Sequence, residues 1–409
     1  VDSAQLASRI LHDRDELFVR DFAQYGERLR ALLANRRVMV LGAAGSIGRA
    51  TVEILLNCRP AHTQLVDLSE NNLAELTRHL RNSFPDNPPE FDCWALDFTG
   101  VPFRALLEDS RPDIVLNFAA FKHVRSEKDQ YTIAEMLRVN VLGNLKLLEW
   151  CQSCPGERRL FVISTDKAVN PVSCMGATKR LMERLLFSAA ADTQFSEIMI
   201  TTTRFANVLL SDGSLPQSFL TRMELGQPLS GPDDIERYFI TPREAGLLCL
   251  LAACHETSGD ILVPNMRPDD LLKFDEIARR LLDLRGLRMR NYGTDAMAAF
   301  ANFAADLEAG AYPCLFSPSV TSGEKSYEEF VEQGEIDAQY QPYQDIRVIR
   351  SDPAIEFESL QVELEELARF SCSVEQLRNS DKSAFVARIA ALVPSFQHLE
   401  TGRSLDRSI

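Results

Sequence analysis

The chain has 409 residues, enough for one large domain or two of ordinary size. Its 45% hydrophobic and 25% charged content is that of a folded globular protein and argues against intrinsic disorder. A formal net charge of −15 argues against a nucleic-acid backbone binder, whose surfaces are basic, yet leaves room for a small anion held by local cations and backbone N–H groups.

Residues 1–36 read as one or two amphipathic helices, an N-terminal arm. Charge interrupts the apolar stretch Leu6–Leu11, so no signal peptide is expected. No apolar run is long enough for a bilayer, and a cytoplasmic protein without membrane insertion is expected. Strand and helix patterns then alternate. Strands are predicted at 37–41, 63–66, 91–96, 113–117, 159–163 and 197–203, with helices over 49–58, 72–84, 133–151 and 175–191. Short apolar strands between helices of ten or more residues indicate a doubly wound parallel α/β sheet of Rossmann type, with ligands at the carboxyl ends of its strands.

This predicted cofactor domain spans 37–205. Residues 206–345 break into shorter Gly- and Pro-punctuated pieces and are expected to bind substrate, with strands near 260–263 and 346–349 rejoining the sheet. Residues 346–409 read as a helical extension, with two terminal helices in 355–400.

Gly42, Gly45 and Gly48 form a GxxGxxG at the first strand–helix turn, with Ser46 and Ile47 between the last two. A tight turn of small residues lets the backbone approach a pyrophosphate and aims the helix N–H groups at the anion. Asp67 closes the second strand where a carboxylate would accept hydrogen bonds from an adenosine ribose. No Arg follows it directly, so NAD is favoured over NADP. Asp97 and Phe98 follow the third strand on the adenine side, and Ala119 and Ala120 let the chain after strand four lie against the cofactor.

After strand five come Ser164-Thr165-Asp166-Lys167-Ala168 and then Met175-Gly176-Ala177-Thr178-Lys179-Arg180. Met175 and Lys179, four apart, share one face of a helix. With Arg204-Phe205-Ala206-Asn207-Val208-Leu209, Ser211-Asp212-Gly213-Ser214, Arg237-Tyr238-Phe239-Ile240-Thr241 and Gly323-Glu324-Lys325-Ser326-Tyr327-Glu328-Glu329, these segments resemble the CapD-like polysaccharide-biosynthesis branch of the extended short-chain dehydrogenases. Met175 stands where most of that superfamily carries Tyr. The segment Lys122-His123-Val124-Arg125-Ser126-Glu127 is most similar to soluble dehydratases of the legionaminic acid pathway.

The resemblance implies a 4,6-dehydratase acting on UDP- or GDP-linked N-acetylglucosamine, for bacterial surface glycan or nonulosonic acid synthesis, and a homo-oligomer. It assigns Asp166 as acid for the departing hydroxyl, Lys167 as base at carbon 5, Lys179 as the ribose contact and Ser164 as a wall of the site. A thioether is a weak acceptor, so Thr165, Asp166 or a water must take the carbon 4 hydroxyl proton in place of Met175. Lys122, His123, Asn207, Ser214, Arg237 and Lys325 are the expected substrate contacts. Glu324 and Glu328 read as helix-start residues. The six histidines show no metal-ligand spacing, and the nine cysteines, Cys151 and Cys154 included, read as reduced thiols. A 4-epimerase and a non-catalytic NAD-binding regulator are the alternative readings.

Overall fold

A computed structural model describes residues 3–85, 87–122, 127–154, 156–319, 325, 327–351 and 355–400. The first six strands are β1 (Arg37–Leu41), β2 (His62–Asp67), β3 (Phe91–Ala95), β4 (Ile114–Asn117), β5 (Arg158–Ile163) and β6 (Ile198–Thr203). Then follow β7 (Asn207–Val208), β8 (Leu229–Pro232), β9 (Glu236–Ile240), β10 (Asp260–Pro264), β11 (Leu271–Lys273), β12 (Arg288–Asn291), β13 (Ala311–Ser317), β14 (Ile336–Asp337) and β15 (Ile346–Arg350). Nine of them form one sheet in the order β14-β15-β10-β6-β5-β4-β1-β2-β3. It is parallel from β3 to β10, and β15 and β14 add an antiparallel edge. The chain builds outward from β1 to β3, then crosses back to place β4 on the other side of β1. That reversal opens the crevice in which doubly wound sheets bind ligands.

The strands read as unbroken apolar runs because both sheet faces are covered. In β1, Val38 and Val40 join a core with the helices Ser46–Asn57, Glu70–Ser83 and Pro242–Ala253. Met39 and Leu41 face the opposite core, with the segment 130–153, the helix Cys174–Ala191 and the C-terminal helices. A third core lies under two three-stranded sheets, β11-β9-β7 and β12-β13-β8, and includes Leu6 and Ile10 of the first helix.

Three expectations are corrected. The helix expected over 133–151 starts at Gln130 and is interrupted by a π-turn, Arg138–Leu142. A helix at Val101–Ser110 adds to the predicted set, with Pro102 in its first turn, where proline is tolerated. The C-terminal segment forms three helices, Phe357–Ser371, Val374–Asn379 and Lys382–Leu392, because Ser373 and Asp381 each cap a new one.

Candidate active site

The glycine turn sits at the crevice. Gly42 has φ +71°, and a Cβ there would lie 2.7 Å from the Ala119 N–H nitrogen, so the β1 and β4 exits touch backbone to backbone. A Cβ on Gly48 would lie 2.1 Å from the Gly42 carbonyl oxygen, so glycine alone lets the helix Ser46–Asn57 start against the strand. Gly45, the helix N-cap, would meet only that carbonyl, at 3.5 Å. Its open side and a first helical turn free of acidic residues fit a pyrophosphate. Asp67 accepts from Ala44 N–H and Ser69 N–H, both 2.9 Å, which ties the glycine turn to the end of β2. Ser46 Oγ accepts from Asp212 N–H at 2.8 Å, while Lys122 donates to the Asp212 carbonyl at 2.9 Å, so the 211–214 loop packs over the turn. Ile47 is half-buried against the adjoining core.

Asp97 is ion-paired with Arg138 at 2.9 Å and accepts from Thr99 N–H and hydroxyl. Burial opposes its ionisation, but these partners hold its carboxyl below the usual range. Phe98 is buried edge-on against Phe103, and a Cβ on Gly143 would strike its ring, so it packs inward as a core residue. Ala119 and Ala120 are half-buried after β4. Behind them runs a chain of amides missing from the expected site. Asn117 donates to Asn144 (2.8 Å) and Asn144 to the Asn140 carbonyl (2.9 Å). Asn140 then grips Phe121, accepting from its N–H at 2.8 Å and donating to its carbonyl at 3.0 Å. Asn140 lies in the π-turn, which aims its amide at that segment.

The segment after β5 forms a 3₁₀ turn, Asp166–Ala168, capped by Thr165. Asp166 is 1% exposed. Its Oδ1 accepts from Thr165 hydroxyl at 2.8 Å and from Lys167 Nζ at 3.2 Å, while its buried Oδ2 has no partner among the described residues. Lys179 is buried and donates to the Ile163 carbonyl at 2.6 Å, at the end of β5. Burial brings its ammonium down to about 8, against the pull of Glu183. Met175 is also buried, one turn before Lys179.

Ser164, expected as a wall of the site, turns away and donates to Glu183 Oε1 at 2.6 Å. It belongs to a buried ion cluster adjoining the Asp166–Ala168 turn. Arg204 forks onto Glu183 (2.8 and 2.7 Å) and onto Glu335 (2.6 Å to each oxygen), and Arg180 reaches both carboxylates. Burial disfavours the Glu183 charge, yet Arg204, Arg180 and Ser164 bring its carboxyl down to about 2.

The expected substrate residues divide. Lys325 donates to the Val169 carbonyl at 2.6 Å and lies 3.5 Å from Glu328, and Arg237 lies 3.9 Å from the other Glu328 oxygen. These three side chains gather beside the Asp166–Lys167 turn. Ser214 instead caps the helix Leu215–Glu224, and Asn207 donates to the Tyr238 carbonyl at 3.5 Å. His123 and Glu324 lie outside the described residues. No helix starts among the described residues of 325–335, so Glu328 is not a helix-start residue. Glu127, Cys174 and His398 place one donor atom each within 4.8 Å of one another, a grouping invisible in sequence spacing. Glu127 also accepts from Cys174 N–H, at the start of the Lys179 helix.

With this geometry in view, the profile of the polysaccharide biosynthesis protein family matches residues 38–350. The chain belongs to that family. The capsular polysaccharide biosynthesis protein CapD of Staphylococcus aureus is 31% identical over 310 residues, 75% of this chain and 47% of CapD. The chain thus spans about half the length of that curated relative. A UDP-glucose 4-epimerase of Rickettsia massiliae is 27% identical over 238 residues, 57% of this chain and 67% of the epimerase. Among solved structures, Pen from Bacillus thuringiensis shares the fold, with a TM-score of 0.62 at 20% identity over 79% of this chain and 90% of Pen. No helix among the described residues of this family member is long and apolar enough to cross a membrane.

Proposed function

We propose that the chain is an NAD-dependent nucleotide-sugar 4,6-dehydratase. The observation that carries this reading is Asp166, buried and ion-paired with Lys167, with one carboxylate oxygen left open. When bound, NAD would supply a two-electron acceptor for carbon 4 and return the electrons to the sugar. Gly42, Gly45 and Gly48 would cradle its pyrophosphate, Asp67 would sit near the adenosine ribose and Lys179 near the nicotinamide ribose. The Asp166–Lys167 turn would supply the proton chemistry at carbon 5 that water loss across carbons 5 and 6 requires. Arg237 and Lys325 would bring positive charge to the sugar diphosphate.

A 4-epimerase is the second reading, and the named relatives favour it over the first: the Rickettsia proteins of this likeness are called UDP-glucose 4-epimerases. Simple 4-epimerisation, however, has no use for an acid–base pair aimed at carbons 5 and 6. Mass spectrometry of UDP- and GDP-N-acetylglucosamine after incubation with the protein and NAD separates the two. Loss of one water without net cofactor reduction is the expected result and identifies the nucleotide. An unchanged mass with altered configuration at carbon 4 supports the epimerase.

A further inference from the structure

Glu328 comes from a stretch without helix among its described residues, over 150 residues beyond Asp166, yet it is 4% exposed. Burying a carboxyl costs free energy unless it is hydrogen-bonded, paired or protonated. Its cationic neighbours stop short of good contact. Lys325 spends its close bond on the Val169 carbonyl and stands 3.5 Å from Oε2, which has no hydrogen-bond partner among the described residues. Arg237 stands 3.9 Å from Oε1. Asp166, within electrostatic reach, differs in that Thr165 and Lys167 both donate to it. Two buried carboxyls at one site, one receiving side-chain hydrogen bonds and the other receiving none among the described residues, suit base-side and acid-side roles.

We propose that Glu328 is the proton donor of this site, delivering its proton to the oxygen that leaves carbon 6 while the Asp166 carboxylate, beside Lys167, serves as the base at carbon 5. The proposal rests on the dehydratase reading. Burial raises the Glu328 carboxyl, helped by the Asp166 charge and opposed by Lys167, Arg237 and Lys325. It also removes a difficulty, because an Asp166 acid and a Lys167 base would need the observed ion pair first to exchange its proton. The proton balance closes. The carbon 5 proton leaves to the Asp166 carboxylate, the carbon 6–oxygen bond breaks, and the Glu328 proton completes the departing water. The proton released from the carbon 4 hydroxyl passes to solvent, a solvent proton later restores Glu328, and the carbon 5 proton returns from Asp166. The two electrons taken from carbon 4 end on carbon 6, so nothing is consumed but the sugar's own water.

The test is single-turnover water loss, followed by mass, in the full chain and in Glu328→Gln and Glu328→Asp, with NAD content and melting temperature as checks of folding. Gln cannot donate a proton, so E328Q should lose water at least ~100-fold more slowly, the scale of one acid–base group. It should still bind NAD and show reduced nicotinamide when substrate is added, since oxidation at carbon 4 precedes the step it lacks. E328D, with a proton on a shorter arm, should recover part of the rate. Wild-type-like water loss by E328Q, or an E328D no better than E328Q, overturns the role of Glu328 alone. A wild-type chain that removes no water overturns it together with the dehydratase reading.

Discussion

Arg204 is the largest side chain of the fully buried set, and its charge is answered by Glu183 and Glu335. Neutralising it by Arg204→Met leaves Arg180 alone to answer both carboxylates, and losing one partner of a buried pair costs about 3–5 kcal/mol. Denaturant unfolding at neutral pH should show that loss. The wild type carries a pH signature too. The Glu183 carboxyl falls from an ordinary 4.5 to about 2 on folding, so its contribution is complete above pH 4.5 and lost as pH falls towards 2. Unchanged stability in R204M would mean that the cluster holds nothing together. That Asp166 and Lys167 follow a strand end and precede the Lys179 helix was legible in the sequence, while the roles given to them come from the resemblance. Glu328, Glu335 and the Ser164–Glu183 contact were not legible, because a loop without periodicity delivers two of them from over 130 residues away.

The glycine turn separates folding from ligand binding at the scale of one strand and one helix. Gly48→Ala drives a Cβ into the Gly42 carbonyl and forces the helix Ser46–Asn57 off β1, and overpacking of this kind costs typically about 1–3 kcal/mol. Gly45→Ala meets only an ordinary contact and adopts a φ of −72° without strain. It should therefore keep the wild-type melting temperature while binding NAD about tenfold or more weakly, since the new methyl faces the side left open for the pyrophosphate. Calorimetric melting and NAD titration of the two variants check this, and a G45A that binds normally would remove the turn from the cofactor site. The strands of the first half were readable because buried parallel strands are continuous apolar runs. The π-turn was not, since residues 133–151 keep a helical pattern throughout and the extra residue answers to Asn140 gripping Phe121.

Across the whole molecule, the segments flanking the family match are built into the site's support. Arg14 of the N-terminal arm donates to Glu244 and to the Phe239 carbonyl, joining the helix Pro242–Ala253 to β9. Buried Asp21 accepts from the N–H groups of Gln344 and Asp345, just before β15. At the other end, Gln397 and Leu399 donate backbone hydrogen bonds to Pro171 and Val172, and His398 lies 3.4 Å from Glu127. Glu127 in turn holds the N-terminus of the Lys179 helix. The sequence patterns showed helices in these flanks but not what they touch, because each contact is made to a residue hundreds of positions away.

A 4,6-dehydratase moves hydrogen from carbon 4 to carbon 6 of one sugar. Incubation with N-acetylglucosamine nucleotides deuterated at carbon 4, followed by NMR and mass analysis of the product, tests it directly. The account predicts one water lost, deuterium on carbon 6 and no net reduced cofactor. Deuterium remaining on carbon 4, with no water lost, would contradict it.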